Sequence, residues 1–176
     1  MSFWKKSVSP PGDEMKTIVY RGGVVTFRIP SHWYEEYSDY DGGTFYEDDP
    51  DAGTLRLRLT LLLASKPLHS SSAIEVLKVI VDKQRSEGVE GLTKIRPDGN
   101  AVFSYEQATS ERGTPLTIFY WVVANPLPPS HARIATFSYT VLTEKRNDAT
   151  TQRELETLET EIEAATFSPQ VGEIPE

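Results

Sequence analysis

A chain of 176 residues, 38% hydrophobic and 25% charged, has the composition of a folded domain with a substantial core. Its formal charge of −8 disfavours nucleic acid and anionic lipid as partners, because both require a positive field. The absence of cysteine excludes disulfides, thiolate catalysis and cysteine-ligated metals.

Residues 1–15 read as an N-terminal arm, since Pro10-Pro11-Gly12-Asp13 resists both helix and sheet. Lys5 and Lys6 stand where a secretory signal needs its apolar region, so export by that route is not expected and a cytoplasmic location is. No apolar run approaches the length of a transmembrane segment. A single domain is expected over residues 16–169, followed by a tail at 170–176.

Strands are predicted at 17–20 and 24–29, joined by a tight turn at Arg21-Gly22-Gly23, where glycine tolerates positive φ. An acidic stretch follows, with a short strand at 44–46 between the turns at Gly42-Gly43 and Pro50-Asp51-Ala52-Gly53. The clearest strand is 54–63, in which leucine occupies every odd position from 55 to 63 and Arg56, Arg58 and Thr60 take the other face. The leucine face needs a covering layer, for which the later helices are the candidates.

A helix over 72–87 has a broad apolar face from Ala73 to Val81, a capping box at Ser72 and Glu75, and a stop at Gly88. Further strands are predicted at 92–95, 101–107, 116–124 and 133–142. In the third of these Leu116, Ile118, Tyr120 and Val122 lie opposite Phe119, Trp121 and Val123, so both faces are apolar, as a central strand requires. A second helix at about 151–164 has a narrow stripe of Leu155, Leu158 and Ile162 and a second capping box at Thr151 and Glu154. The expected fold class is α+β, a mostly antiparallel sheet flanked by helices.

Three segments carry a resemblance: Phe27-Arg28-Ile29-Pro30-Ser31-His32-Trp33, Asp98-Gly99-Asn100-Ala101-Val102 and Ala165-Thr166-Phe167-Ser168-Pro169. Over residues 17–169 the chain resembles the PsbP/DcrB-like superfamily, which includes PsbP proteins, DcrB proteins, Ran-binding Mog proteins and Eag-type chaperones of secretion effectors. The resemblance implies a PsbP-like sandwich and a binding or chaperone-like adaptor role. It brings no catalytic residue and no cofactor. The partner it implies is a protein, an effector segment being one form, with a homodimer as a second option. The alternative function is a small-ligand carrier, or a hydrolase with an unrecognised site.

Asp39, Asp41, Glu47, Asp48 and Asp49 are the candidate metal ligands, since hard cations want several carboxylates on one loop. An EF-hand loop begun at Asp39 fails, with Thr44 and Pro50 where glycine and glutamate are needed, so the stretch is expected to be a solvated loop and no metal is assigned. His32, His69 and His131 have no metal-ligand spacing, and no nucleophile elbow or phosphate-cradling loop is present. Trp33 is expected in the core. The candidate partner-binding residues are Phe119, Trp121 and Val123, together with Arg56 and Arg58, since either the face of those three residues or its opposite is expected to have thin cover.

Overall fold

The computed structural model describes residues 14–38 and 42–169. Strands β1 (Met15–Tyr20) and β2 (Val25–Pro30) pair antiparallel around Arg21-Gly22-Gly23. Those three residues all have positive φ, from +47° to +101°, a turn that adjacent glycines permit at low cost. Strands β3 (Tyr34–Tyr37), β4 (Gly42–Tyr46) and β5 (Thr54–Leu63) come next, and then helix α1 (Ala73–Ser86). Four strands follow: β6 (Gly91–Ile95), β7 (Ala101–Glu111), β8 (Thr114–Leu127) and β9 (His131–Leu142). Helix α2 (Ala149–Glu163) and the short β10 (Thr166–Phe167) complete the described elements.

The strands form a small sheet, ordered β1-β2-β10, and a seven-stranded sheet, ordered β3-β4-β5-β9-β8-β7-β6. Alternation of side chains gives the large sheet two different faces. On one, Leu55, Leu57, Leu59, Trp121, Val123, Phe137 and Tyr139 are buried against Ile18, Phe27 and Ile29 of the small sheet and Leu158 and Ile162 of α2. The Phe27 ring meets Phe45 and Phe137 edge-on at 5.4 and 5.1 Å, knitting the two sheets together. On the other face, Ala101, Phe103, Val122, Ala124 and Ile134 pack against Ala73, Leu77 and Val81 of α1. The fold is therefore an α+β sandwich with one helix on each side of the large sheet.

The odd leucines of β5 do share one face, but only the first three are covered. Leu61 is half-buried and Leu63 is 76% exposed, because the small sheet and α2 do not extend over that end. The small sheet and α2 provide the cover, while α1 lies on the opposite face. The expected capping boxes do not form. The Ser72 hydroxyl accepts the His69 amide at 2.9 Å instead of capping α1, and α2 begins at Ala149, placing Thr151 inside the helix. Glu154 is drawn away to accept a hydrogen bond from Tyr139, so a tertiary contact overrides the local one. The end of α1 follows expectation: Gly88 has φ +79°, and the next amide, of Val89, closes on Gln84 at 2.9 Å.

Strand β3 is absent from the sequence-based expectation, because Tyr34-Glu35-Glu36-Tyr37 has no apolar alternation and all four residues are exposed at the sheet's edge. The two-residue β10 is likewise outside that expectation, and the remaining strands hold where expected, several of them longer. Residues 1–13 of the arm and the tail at 170–176 lie outside the described residues.

Candidate functional site

Helix α1 covers only part of its face of the large sheet. The change occurs within single strands. Along β9 the residues on this face pass from buried Ile134 to half-buried Thr136, Ser138 and Thr140, and along β8 from buried Val122 to half-buried Tyr120. β9 is the middle strand of seven, and among the described residues no layer lies above these polar positions. The pairing register sets Arg56 beside Thr44 and Ser138, with Tyr120 beyond, and sets Arg58 beside Gly42 and Thr136. Small hydroxyl-bearing side chains thus surround two long cationic ones. Gly42 deepens the rim, since a Cβ there would stand 2.6 Å from the Leu57 carbonyl oxygen.

The result is an open trough of about 860 Å³, lined by Thr44, Arg56, Arg58, Thr60, Tyr120, Thr136 and Ser138 among others. No Asp or Glu lines it among the described residues, although the chain contains 26 acidic residues. Arg56 and Arg58 are exposed, and no ion pair or hydrogen bond engages either guanidinium among the described residues. Other arginines behave differently: Arg28 forks onto Glu161 at 2.7 and 2.8 Å, and Arg146 onto Glu106 at 2.6 and 2.7 Å. At one end of the trough Tyr120 stacks on Tyr105 at 4.7 Å. Burial, then Tyr120 and Glu87, push the Tyr105 phenol up to about 12, and burial raises Tyr120, so both hydroxyls remain protonated donors at neutral pH. Among the described residues the trough therefore presents two cations and a set of hydroxyls to whatever occupies it, and no group of opposite charge.

The remaining candidates fall elsewhere. Trp121 and Val123 are buried beneath the small sheet and α2, so of the two faces for which thin cover is expected this one is covered within the chain at those residues. Phe119 is half-buried beside them under the Arg146 guanidinium, and with Trp121 it lines a shallow groove between β7, β8 and α2. Arg56 and Arg58 lie on the opposite face from these aromatics. Asp39 and Asp41 lie outside the described residues. Glu47 sits 3.5 Å from His32, and Asp49 accepts the Asp51 amide at 2.9 Å in a local turn that also includes Asp48. Among the described residues no cluster of three or more His, Cys, Asp or Glu could hold a metal ion.

A second cleft, of about 480 Å³, separates α2 from the turn after β2 and the loop after β4. Its polar groups largely satisfy one another: Tyr139 donates to Glu154, Arg28 binds Glu161, and His32 faces Glu47. Burial raises the Glu154 carboxyl above the usual carboxylate range; Glu47 adds to the rise, while the Tyr139 hydrogen bond and His32 oppose it. Trp33 is buried here as expected and stacks on Tyr139 at 6.2 Å, but its indole N–H has no partner among the described residues. Sequence reasoning identified Arg56 and Arg58 but missed the floor they stand on. The signal was the alternation Thr136, Ser138, Thr140 opposite Phe137 and Tyr139 in a strand destined for the sheet's centre.

Fold and trough together define an α+β sandwich with a solvent-open, cationic and hydroxyl-lined sheet face. The same fold is found in the structure of LpqN, involved in cell envelope biogenesis of Mycobacterium tuberculosis, with 15% identity over 89% of this chain and 91% of that one, at a TM-score of 0.60. A protein of Bacteroides thetaiotaomicron matches with 19% identity and a TM-score of 0.57, over 90% of this chain but 50% of its own length. The solution structure of cyanobacterial PsbP from Synechocystis gives a looser match, at 11% identity over 92% of this chain and 96% of that one, with a TM-score of 0.40. No protein-family model matches the chain, and no curated protein matches it in sequence. Among the described residues no helix is long and apolar enough to cross a membrane.

Proposed function

We propose that this protein is a non-catalytic binding protein, an adaptor that docks a segment of another protein in the open trough of its large sheet. One observation carries the proposal: β5 and β9, inside a seven-stranded sheet, leave a polar face open and hold there two arginines that have no partner among the described residues. A solvated sheet face needs no such local charge reversal in a chain of net −8. Hydroxyls and guanidinium groups without a general base or nucleophile in line suit recognition rather than turnover. The test is selection of short random peptides displayed on phage against the wild-type protein, counter-screened on Ser138→Trp, which fills the trough. Peptides that bind the first and not the second support docking at this face. A selection that returns only peptides indifferent to Ser138→Trp, with the variant's melting curve intact, rejects it.

A second reading, a small-ligand carrier, is favoured by the Trp33 N–H, which has no partner among the described residues, beside the cleft under α2. A burial cost of that kind is removed when a ligand acceptor reaches the group.

A further inference from the structure

The proposed docking function leaves the chemistry of the partner open, and the geometry of the trough narrows it. Arg56 and Arg58 leave the same face of one strand, two residues apart, so their Cα atoms are separated by ~6.8 Å. An extended chain repeats its side chains on one side at the same ~6.8 Å. Four of the hydroxyls around the arginines, those of Thr44, Thr60, Thr136 and Ser138, can each donate to or accept from a backbone amide group. A helix, whose backbone bonds are satisfied internally, would leave those hydroxyls unused. The trough crosses β4, β5, β9 and β8, a width of ~14 Å, which is too broad and too open for a single small anion.

Charge density selects among the extended anions. Outside the trough a chain of net −8 repels a dense polyanion, which extends beyond the two arginines, whereas a segment with two carboxylates is matched by Arg56 and Arg58 and meets little residual repulsion. We infer that the partner of the trough is an extended protein segment with acidic residues at alternate positions, two carboxylates facing Arg56 and Arg58 and the intervening backbone meeting the hydroxyls of β4, β5 and β9. This inference rests on the docking function proposed above.

The experiment compares three synthetic peptides by fluorescence anisotropy: one with glutamates at alternate positions, an isomer with the same glutamates adjacent, and a counterpart with glutamine in their place. The alternate-glutamate peptide should bind tightest, and Arg56→Ala or Arg58→Ala should each weaken it about three- to tenfold, the scale of partly exposed charge-assisted bonds. Affinity should fall as salt rises. The Arg56→Glu, Arg58→Glu double variant should lose this peptide and gain one with lysines at the same positions. Equal binding of the glutamate and glutamine peptides, with phage peptides still dependent on the trough, would overturn the acidic partner while leaving docking intact. Loss of trough dependence in the phage selection as well would overturn both. Tighter binding of a sulfated oligosaccharide than of any peptide would overturn the protein segment in favour of a glycan. A concentration-dependent dimer abolished by the double variant would transfer the site to a second copy of this chain and equally overturn it.

Discussion

Truncating two leucines of the same strand and the same face separates the covered part of the sandwich from its open end. Leu57 is 2% exposed, between Gly43 and Phe137 in the register, and belongs to the core formed by both sheets and α2. Leu57→Ala removes the equivalent of three buried methylenes, about 2.4 kcal/mol of transfer energy at ~0.8 kcal/mol each. The Phe137 ring on one side and the side-chain-free Gly43 on the other cannot fill the gap, so the cavity adds to this, and a total loss of about 3 to 4 kcal/mol is expected. Leu63 points the same way but is 76% exposed, and Leu63→Ala should cost about half a kcal/mol. Urea denaturation of both variants measures the difference as a shift in midpoint at unchanged slope. Similar losses at the two positions would refute the claim that the small sheet and α2 end their cover near Leu61.

Two further perturbations probe the packing under α2. The folded-state pKa of Glu154 is raised, so its contribution to stability is full below the unfolded pKa and is lost as pH rises through the folded one. Glu154→Gln keeps an acceptor for Tyr139 without the charge; its stability relative to wild type should therefore improve as pH is raised from the carboxylate range to neutrality, and a decline over that interval in pH-dependent melts would contradict the assignment. At Gly53 a Cβ would stand 2.2 Å from the Tyr139 ring, which is held by Trp33 and Glu154. Gly53→Ala should cost about 1 to 3 kcal/mol from overpacking, and less in a Tyr139→Leu background; additive costs in the double-variant cycle would show that the ring is not the obstacle.

Much of the architecture was legible because it is written in periodicity. The leucines of β5, the apolar face of α1 and the two apolar faces of β8 each predicted their element, and its burial over the part that a second layer covers. Local signals at the helix starts misled, since Ser72 and Glu154 are engaged by His69 and Tyr139, contacts that a capping pattern does not encode. The trough was half legible. Arg56 and Arg58 stand out against the leucines, but their setting depends on β5 pairing with β9 across about half the chain's length, and that register is not a local property. Which face lacks cover was not legible at all: Trp121 and Val123 are covered by β1 and β2, which precede them by about a hundred residues, while Thr136, Ser138 and Thr140 of β9 are left half-buried among the described residues.

The central claim is that the uncovered half of the α1 face is where a partner segment docks. Titration of the isotopically labelled protein with the alternate-glutamate peptide, followed by nuclear magnetic resonance, tests it most directly. The account predicts shifts in the Arg56 and Arg58 side-chain N–H signals and in the amides of Thr44, Thr60, Thr136 and Ser138, with the residues around Phe119 and those around Glu154 unmoved. Shifts confined to the groove at Phe119 or to the cleft under α2, with Arg56 and Arg58 unchanged at saturation, would contradict it.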